Sequence, residues 1–98
     1  MVKRLRWNKQ AISKMDSIVD YLNDEVSFQV AMGFVRSVNT LIEDIKKHPS
    51  RGRKVKNMKT MLFINLNKHY QLFYRLEGST LVITAIFDTR QNPDKRPY

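Results

Sequence analysis

The residues of this chain that could take part in chemistry or binding are mostly basic. Lys and Arg number 18 against 9 Asp and Glu, and the formal net charge is +9. Residues 51–59 hold five cations and no acid: Arg51, Arg53, Lys54, Lys56 and Lys59. Such a cluster can bind a phosphate backbone or an acidic protein, and it favours a functional surface over a solvated loop.

The last twelve residues, FDTRQNPDKRPY, begin where an apolar run ends at Phe87. Arg90 lies three residues further on, where the chain is expected to turn out of a sheet. An arginine there can direct two parallel N–H donors at a phosphate or a carboxylate. The alternative is an exposed arginine in a mobile tail.

Of the two histidines, His69 is the candidate for proton transfer. It opens a predicted strand beside Tyr70, and an imidazole titrates near neutral pH, so it could act as a general base; a non-catalytic role is the alternative. His48 ends a predicted helix, where the helix dipole favours a cation. No second ligand stands at a useful spacing and there is no cysteine, so we expect no metal and no cofactor.

Apolar spacing predicts two helices after a short edge strand near residues 2–7. Apolar residues recur at three- and four-residue steps over 9–24, after a possible N-cap at Asn8. A second stripe follows Ser27 and runs to about His48, where Pro49 ends it. The short connection predicts an antiparallel helical hairpin.

Three runs rich in β-branched and aromatic residues follow, at 61–66, 69–76 and 80–87, and their close spacing predicts two hairpins. The order is β-α-α-β-β-β. It predicts an α+β fold, with the N-terminal helical hairpin packed on one face of an antiparallel sheet and the other face partly open. We expect one domain, residues 1–98.

Tyr70 and Tyr74 share one face of the middle strand. They could stack on bases, or they could pack against a helix. No apolar run approaches the ~18–20 residues of a membrane span, and no signal peptide follows the basic start. We therefore expect a cytoplasmic protein that does not enter the membrane.

Four motifs together resemble the RelE/ParE superfamily of bacterial toxins from type II toxin–antitoxin operons. They are WNKQA at 7–11, HPSRGR at 48–53, YQLFYR at 70–75 and FDTRQNP at 87–93, and they cover nearly the whole chain. The resemblance implies a small α+β fold and a cognate antitoxin whose partly disordered segment wraps the toxin. A basic toxin suits such an acidic partner.

The superfamily divides into two functional classes. RelE-like members are metal-independent mRNA endonucleases of the ribosomal decoding site, whereas ParE-like members bind DNA gyrase without an established catalytic site. Where RelE-like nucleases carry strand lysines and an arginine, this chain has Phe63, Asn65 and Gln71. Only Arg90 matches, and Arg96 stands in the place of a C-terminal tyrosine or histidine, two residues before Tyr98.

These substitutions favour the ParE-like class, because losing one charge-stabilising donor costs about 2.7–4 kcal/mol in the transition state. We expect a growth-inhibiting toxin of a plasmid-stabilisation-type module. The alternatives are a ribosome-dependent mRNA endonuclease, a non-toxic nucleic-acid-binding module and a decayed toxin. A nuclease would use Arg90, His69 and Tyr98 for catalysis. The residues expected to bind nucleic acid or a partner are Arg51, Arg53, Lys54, Lys56, Lys59 and Lys68.

Overall fold

The computed structural model describes residues 2–91 of the chain. Within them, a helical hairpin separates an N-terminal strand from the rest of a five-stranded sheet, whose strand order is β1-β5-β4-β3-β2. The elements are β1 (Arg4–Trp7), α1 (Lys9–Glu25), α2 (Phe28–Lys47), β2 (Arg53–Lys54), β3 (Met61–Asn65), β4 (Tyr70–Glu77) and β5 (Thr80–Asp88).

The predicted α+β class and the element order are confirmed, and the structure adds two features. β1 pairs with β5 in parallel, so the sheet is mixed. Arg53 and Lys54, predicted to lie in a loop, form the short edge strand β2 against Phe63 and Leu62. A two-residue strand made only of cations shows no alternation, so its sequence carries no strand signal.

Both predicted helices are present, with ends within about one residue of expectation. The Ser27 hydroxyl accepts a hydrogen bond from the Val30 N–H at 3.1 Å and caps α2 as predicted. Asn8 occupies the N-cap position of α1, but its side chain makes no capping hydrogen bond. Its Oδ1 instead accepts a hydrogen bond from Arg6 Nη1 at 3.5 Å.

The main core lies between the helices and one face of the sheet. Its fully buried side chains include Val38 and Ile45 of α2, which face Leu72 and Tyr74 of β4. We call the opposite face of the sheet the open face. A smaller apolar cluster covers part of the open face and consists of Val55, Met61, Phe63, Phe73, Ala85 and Phe87.

The pairing of β4 with β5 shifts between Phe73 and Tyr74. Phe73 lies opposite Ala85 and Tyr74 lies opposite Ile83, so Thr84 has no partner residue in this ladder. The shift is a bulge, which increases strand twist locally. Thr84 is itself buried.

None of the helices within residues 2–91 is both long enough and apolar enough to cross a membrane.

Candidate functional site

Arg90 folds back onto the end of β5. Its Nε donates to Asp88 Oδ1 and its Nη2 to Asp88 Oδ2, each at 3.0 Å, and its backbone N–H donates to Oδ1 at 2.9 Å. The bidentate pair holds both oxygens of the carboxylate. One edge of the guanidinium is therefore already occupied by a residue of the same chain.

The aromatic ring of Tyr70 supports this pair from the neighbouring strand. Tyr70 lies opposite Asp88 in the ladder. The centre of the Arg90 guanidinium is 5.8 Å from the ring centroid, and Nη2 donates a long hydrogen bond of 3.4 Å to the hydroxyl. Arg90 is thereby held on the helix side of the sheet.

The electrostatics follow from this geometry. The Arg90 hydrogen bonds lower the pKa of Asp88, and the same contacts raise the pKa of Arg90. Burial raises the pKa of Tyr70, and the Asp88 charge adds to that shift. At neutral pH the site therefore contains an ion pair beside a neutral phenol.

His69 lies at the same end of the sheet through its backbone. Its carbonyl accepts a hydrogen bond from the Thr89 N–H at 2.8 Å, and its own N–H donates to Asn67 Oδ1 at 2.8 Å. The Thr89 hydroxyl also donates to the Lys68 carbonyl at 3.0 Å. The turn before β4 and the exit of β5 are thus tied together next to Arg90. Tyr98 and Arg96 lie outside the described residues.

The open face carries Phe63, Asn65 and Gln71, which stand where RelE-like nucleases have two lysines and an arginine. Phe63 stacks on Phe73 with ring centroids 5.7 Å apart. Gln71 Nε2 donates to Asn65 Oδ1 at 3.3 Å, while its Oε1 is buried with no hydrogen-bond partner within residues 2–91. These three positions present an aromatic ring and two amides, without a charge.

The basic cluster of residues 51–59 is divided by the fold. Arg51 pairs with Asp44 of α2, whereas Arg53 and Lys54 are exposed on the edge strand β2. Arg51 and Arg53 also line a cleft of about 220 Å³ with Phe63, Ile64 and Asn65.

The remaining predicted cations lie at two ends of the sheet. Lys56 and Lys59 are exposed in the turn before β3, and Lys68 is exposed in the turn after it. A five-residue strand spans on the order of 15 Å. The fold thus brings Lys68 and His69 to the Arg90 end and places Lys56 and Lys59 at the other.

Tyr70 and Tyr74 pack against the helical side, so the base-stacking interpretation of this pair is wrong. Tyr70 meets Phe34 of α2 edge-on at 5.3 Å between centroids. Tyr74 is fully buried, and its hydroxyl donates to the Pro49 carbonyl at 2.9 Å and accepts from the Gly52 N–H at 3.0 Å. Both rings are therefore buried in the core between the sheet and the helices and do not form an exposed stacking surface.

Sequence reasoning missed two parts of the Arg90 site. Asp88 stands two residues before Arg90, and this spacing was the available signal for the ion pair. Lys14 and Tyr21 of α1 line the same cavity, and their seven-residue spacing places them on one helix face. Across residues 2–91, no three His, Asp or Glu side chains are grouped as metal ligands would be.

Comparison of the sequence with known families gives one match over most of the chain. A family model described as the ParE toxin of the type II toxin–antitoxin system parDE matches residues 5–93. No curated protein sequence matches the chain significantly.

Similar folds occur among the solved structures of other bacterial proteins. A chain of the chromosomal ParDE system from P. aeruginosa has a TM-score of 0.74 at 17% identity, covering 89% of this chain and 96% of that one. A YoeB/ParE toxin from Agrobacterium tumefaciens has a TM-score of 0.68 at 17% identity, with coverages of 88% and 98%. The YoeB dimer from Staphylococcus aureus has 0.66 at 15% identity, with coverages of 87% and 94%.

Proposed function

The chain belongs to the ParE toxin family of type II toxin–antitoxin systems, and on this premise we propose that it inhibits bacterial growth by binding DNA gyrase. In this proposal it is the toxin of a plasmid-stabilisation-type module in the cytoplasm, and its cognate antitoxin neutralises it. The proposed action is inhibition by binding, without cleavage of RNA.

The observation that carries this choice is the state of Arg90. Arg90 is the one residue that matches the nuclease pattern, and its guanidinium is held by both oxygens of Asp88. A phosphate that approached the Nε/Nη2 edge would have to compete with that carboxylate for the same N–H donors. Phosphorane stabilisation needs donors that are already directed at the developing charge, and this arginine is directed at Asp88.

The open face supports the same conclusion. Phe63, Asn65 and Gln71 offer no cation to a scissile phosphate, and Phe63 is stacked on Phe73. General acid–base catalysis also requires a group within hydrogen-bond reach of the 2′-hydroxyl. The groups present at these positions are an amide pair and a hydrocarbon ring, which neither accept nor release protons near neutral pH.

The exposed cations of the β2 edge are the proposed contact for an acidic protein surface. Arg53 and Lys54 lie on a strand whose outer edge is unpaired within the described chain, and both are exposed. Lys56 and Lys59 continue this surface into the next turn. None of these four cations forms an ion pair within residues 2–91, which favours association with a negatively charged partner.

One observation favours a second candidate, a ribosome-dependent mRNA endonuclease. The Thr89–His69 hydrogen bond brings a histidine and Arg90 to the same end of the sheet. If a ligand displaced Asp88 from Arg90, the freed guanidinium would lie at the same end of the sheet as His69, which could then act in proton transfer.

Mapping of mRNA 5′ ends after brief induction of the chain alone in a bacterial host separates the two candidates. The proposal predicts growth arrest without new ends phased to the reading frame. Phased new ends, appearing with the wild-type chain and absent with Arg90→Ala, would contradict it and establish the second candidate.

A further inference from the structure

A cavity of about 340 Å³ lies between α1 and the ends of β4 and β5. Ile18 is buried at its base, on the core side of α1. The polar residues that line it are Lys14, Ser17, Tyr21, Tyr70, Asp88 and Arg90. The cavity therefore combines an apolar base with several polar groups along its walls, and this combination is typical of binding pockets.

The cavity contains more hydrogen-bond donors than its own acceptors use. Arg90 donates hydrogen bonds from Nε and Nη2 to Asp88, and Nη2 also donates to the Tyr70 hydroxyl. Because that hydroxyl accepts from Arg90, its own proton remains available to donate. Tyr21 contributes a second hydroxyl, and its side chain is 57% exposed.

The charges of the cavity are also unbalanced. Lys14 and Arg90 carry two positive charges against the single negative charge of Asp88. Lys14 is close enough for its charge to contribute to the lowered pKa of Asp88. Within residues 2–91, however, Lys14 forms no ion pair.

We infer that this cavity binds a carboxylate side chain, an Asp or Glu of the antitoxin, between the Lys14 ammonium and the hydroxyls of Tyr70 and Tyr21. One net positive charge suits one monoanion. This inference rests on the proposed function only in that it takes the antitoxin as the partner. It makes Lys14 a contact residue that sequence comparison did not indicate.

The cavity favours a single carboxylate over a nucleic-acid backbone. Its lining offers one net positive charge, from Lys14 and Arg90 against Asp88. Asp16, Asp20 and Asp24 do not line it, but they are exposed elsewhere on α1, and they would repel the successive phosphates of a polyanion that lay along this helix. A carboxylate on a flexible side chain can enter beside Lys14 without placing further negative charge against the helix.

The test is isothermal titration of the purified chain with the antitoxin of its operon, comparing the wild type with Lys14→Ala. Losing a charge-assisted hydrogen bond should weaken binding about tenfold. Lys14→Arg should restore most of the affinity. Lys9→Ala is the matched control, because Lys9 is exposed on the same helix and outside the cavity; its affinity should stay within about twofold.

Equal affinities for Lys14→Ala and Lys9→Ala would overturn the inference. A second titration with a labelled single-stranded RNA oligonucleotide covers the other partner class. If Lys14→Ala weakens RNA binding and leaves antitoxin binding unchanged, the cavity binds a phosphate and the inference is wrong. Thermal unfolding of each variant checks that the fold is retained.

Failure of this inference is distinguishable from failure of the proposed function. Antitoxin affinity is measured without gyrase, and gyrase inhibition is measured without antitoxin. A chain that leaves gyrase unaffected, yet loses antitoxin affinity on Lys14→Ala, would refute the proposed target and keep the cavity assignment.

Discussion

Arg90 and Asp88 form a bidentate pair across one intervening residue, with both N–O distances at 3.0 Å. The Asp88 side chain is 17% exposed and the Arg90 side chain 56% exposed. The carboxylate is thus fixed by the strand while the guanidinium lies at the surface of the cavity. The pair closes at the exit of β5, on either side of Thr89, whose N–H donates to the His69 carbonyl.

We expect Arg90→Ala to reduce toxicity while leaving the fold intact. The guanidinium is exposed on one side, so its loss removes a contact surface and little packing. The affinity for gyrase should fall about tenfold, as expected for the loss of one charge-assisted contact, and colony formation after induction should recover. Arg36→Ala, at an exposed position of α2, is the control and should remain toxic. Full growth arrest by well-expressed Arg90→Ala would count against a role for this residue.

The pH dependence of stability should report the ion pair. Asp88 has a lowered pKa in the folded chain, so its contribution is fully present above the unfolded-state pKa of about 3.9. That contribution is lost as the pH falls through the lower folded-state value. Urea unfolding of the wild type and Asp88→Asn between neutral pH and strong acid measures it.

The wild type should be the more stable of the two at neutral pH, and the difference should shrink in acid. Glu77 also has a lowered pKa, because Arg75 donates a hydrogen bond to it, but it is present in both proteins and cancels. A difference that grows as the pH falls would show that Asp88 is not stabilised as an anion in the folded chain.

Two glycines should respond in opposite ways to alanine. A Cβ at Gly52 would lie 2.5 Å from the buried Tyr74 hydroxyl and 3.0 Å from the Phe63 carbonyl oxygen. Gly52→Ala should therefore lower the free energy of unfolding by about 1–3 kcal/mol. At Gly33, inside α2, the atom nearest to an added Cβ would be Arg36 Nη2 at 3.8 Å. Gly33→Ala should therefore raise the free energy of unfolding by about 0.5–1 kcal/mol. Urea denaturation gives both values, and a stable Gly52→Ala would disprove the close approach.

The Thr84 hydroxyl is buried and has no hydrogen-bond partner among the described residues. Thr84→Val keeps the shape and removes this unsatisfied group, so it should raise stability by about 1 kcal/mol. Thr89→Val provides the contrast, because the Thr89 hydroxyl donates to the Lys68 carbonyl; this variant should be less stable than the wild type. Thermal unfolding compares the two. Loss of stability in Thr84→Val would indicate that its hydroxyl is satisfied.

The elements that repeat regularly were predictable, because periodicity shows which face of each is buried. The stripe over 9–24 predicted α1, and Ser27 marked the start of α2. The sequence did not predict β2, because two exposed cations form it. It did not predict that β1 pairs in parallel with β5, because the alternation of apolar and polar residues shows which face of a strand is buried but not which strand lies beside it. The resemblance supplied the family, and the family model confirms it.

The site was less predictable than the fold. Arg90 stood out by its place after the last strand, but sequence could not show that it folds back onto Asp88. That contact depends on the backbone turn at Thr89, which the His69 carbonyl holds. Lys14 and Tyr21 reach the same cavity only because α1 packs beside β5, a tertiary relationship invisible in either segment alone.

The most direct test of the central claim is a supercoiling assay with purified DNA gyrase and the purified chain. We expect the wild type to inhibit supercoiling of relaxed plasmid in a dose-dependent manner, and Arg90→Ala to inhibit it less. If the folded wild-type chain left supercoiling unchanged at a large molar excess over gyrase, gyrase would not be its target.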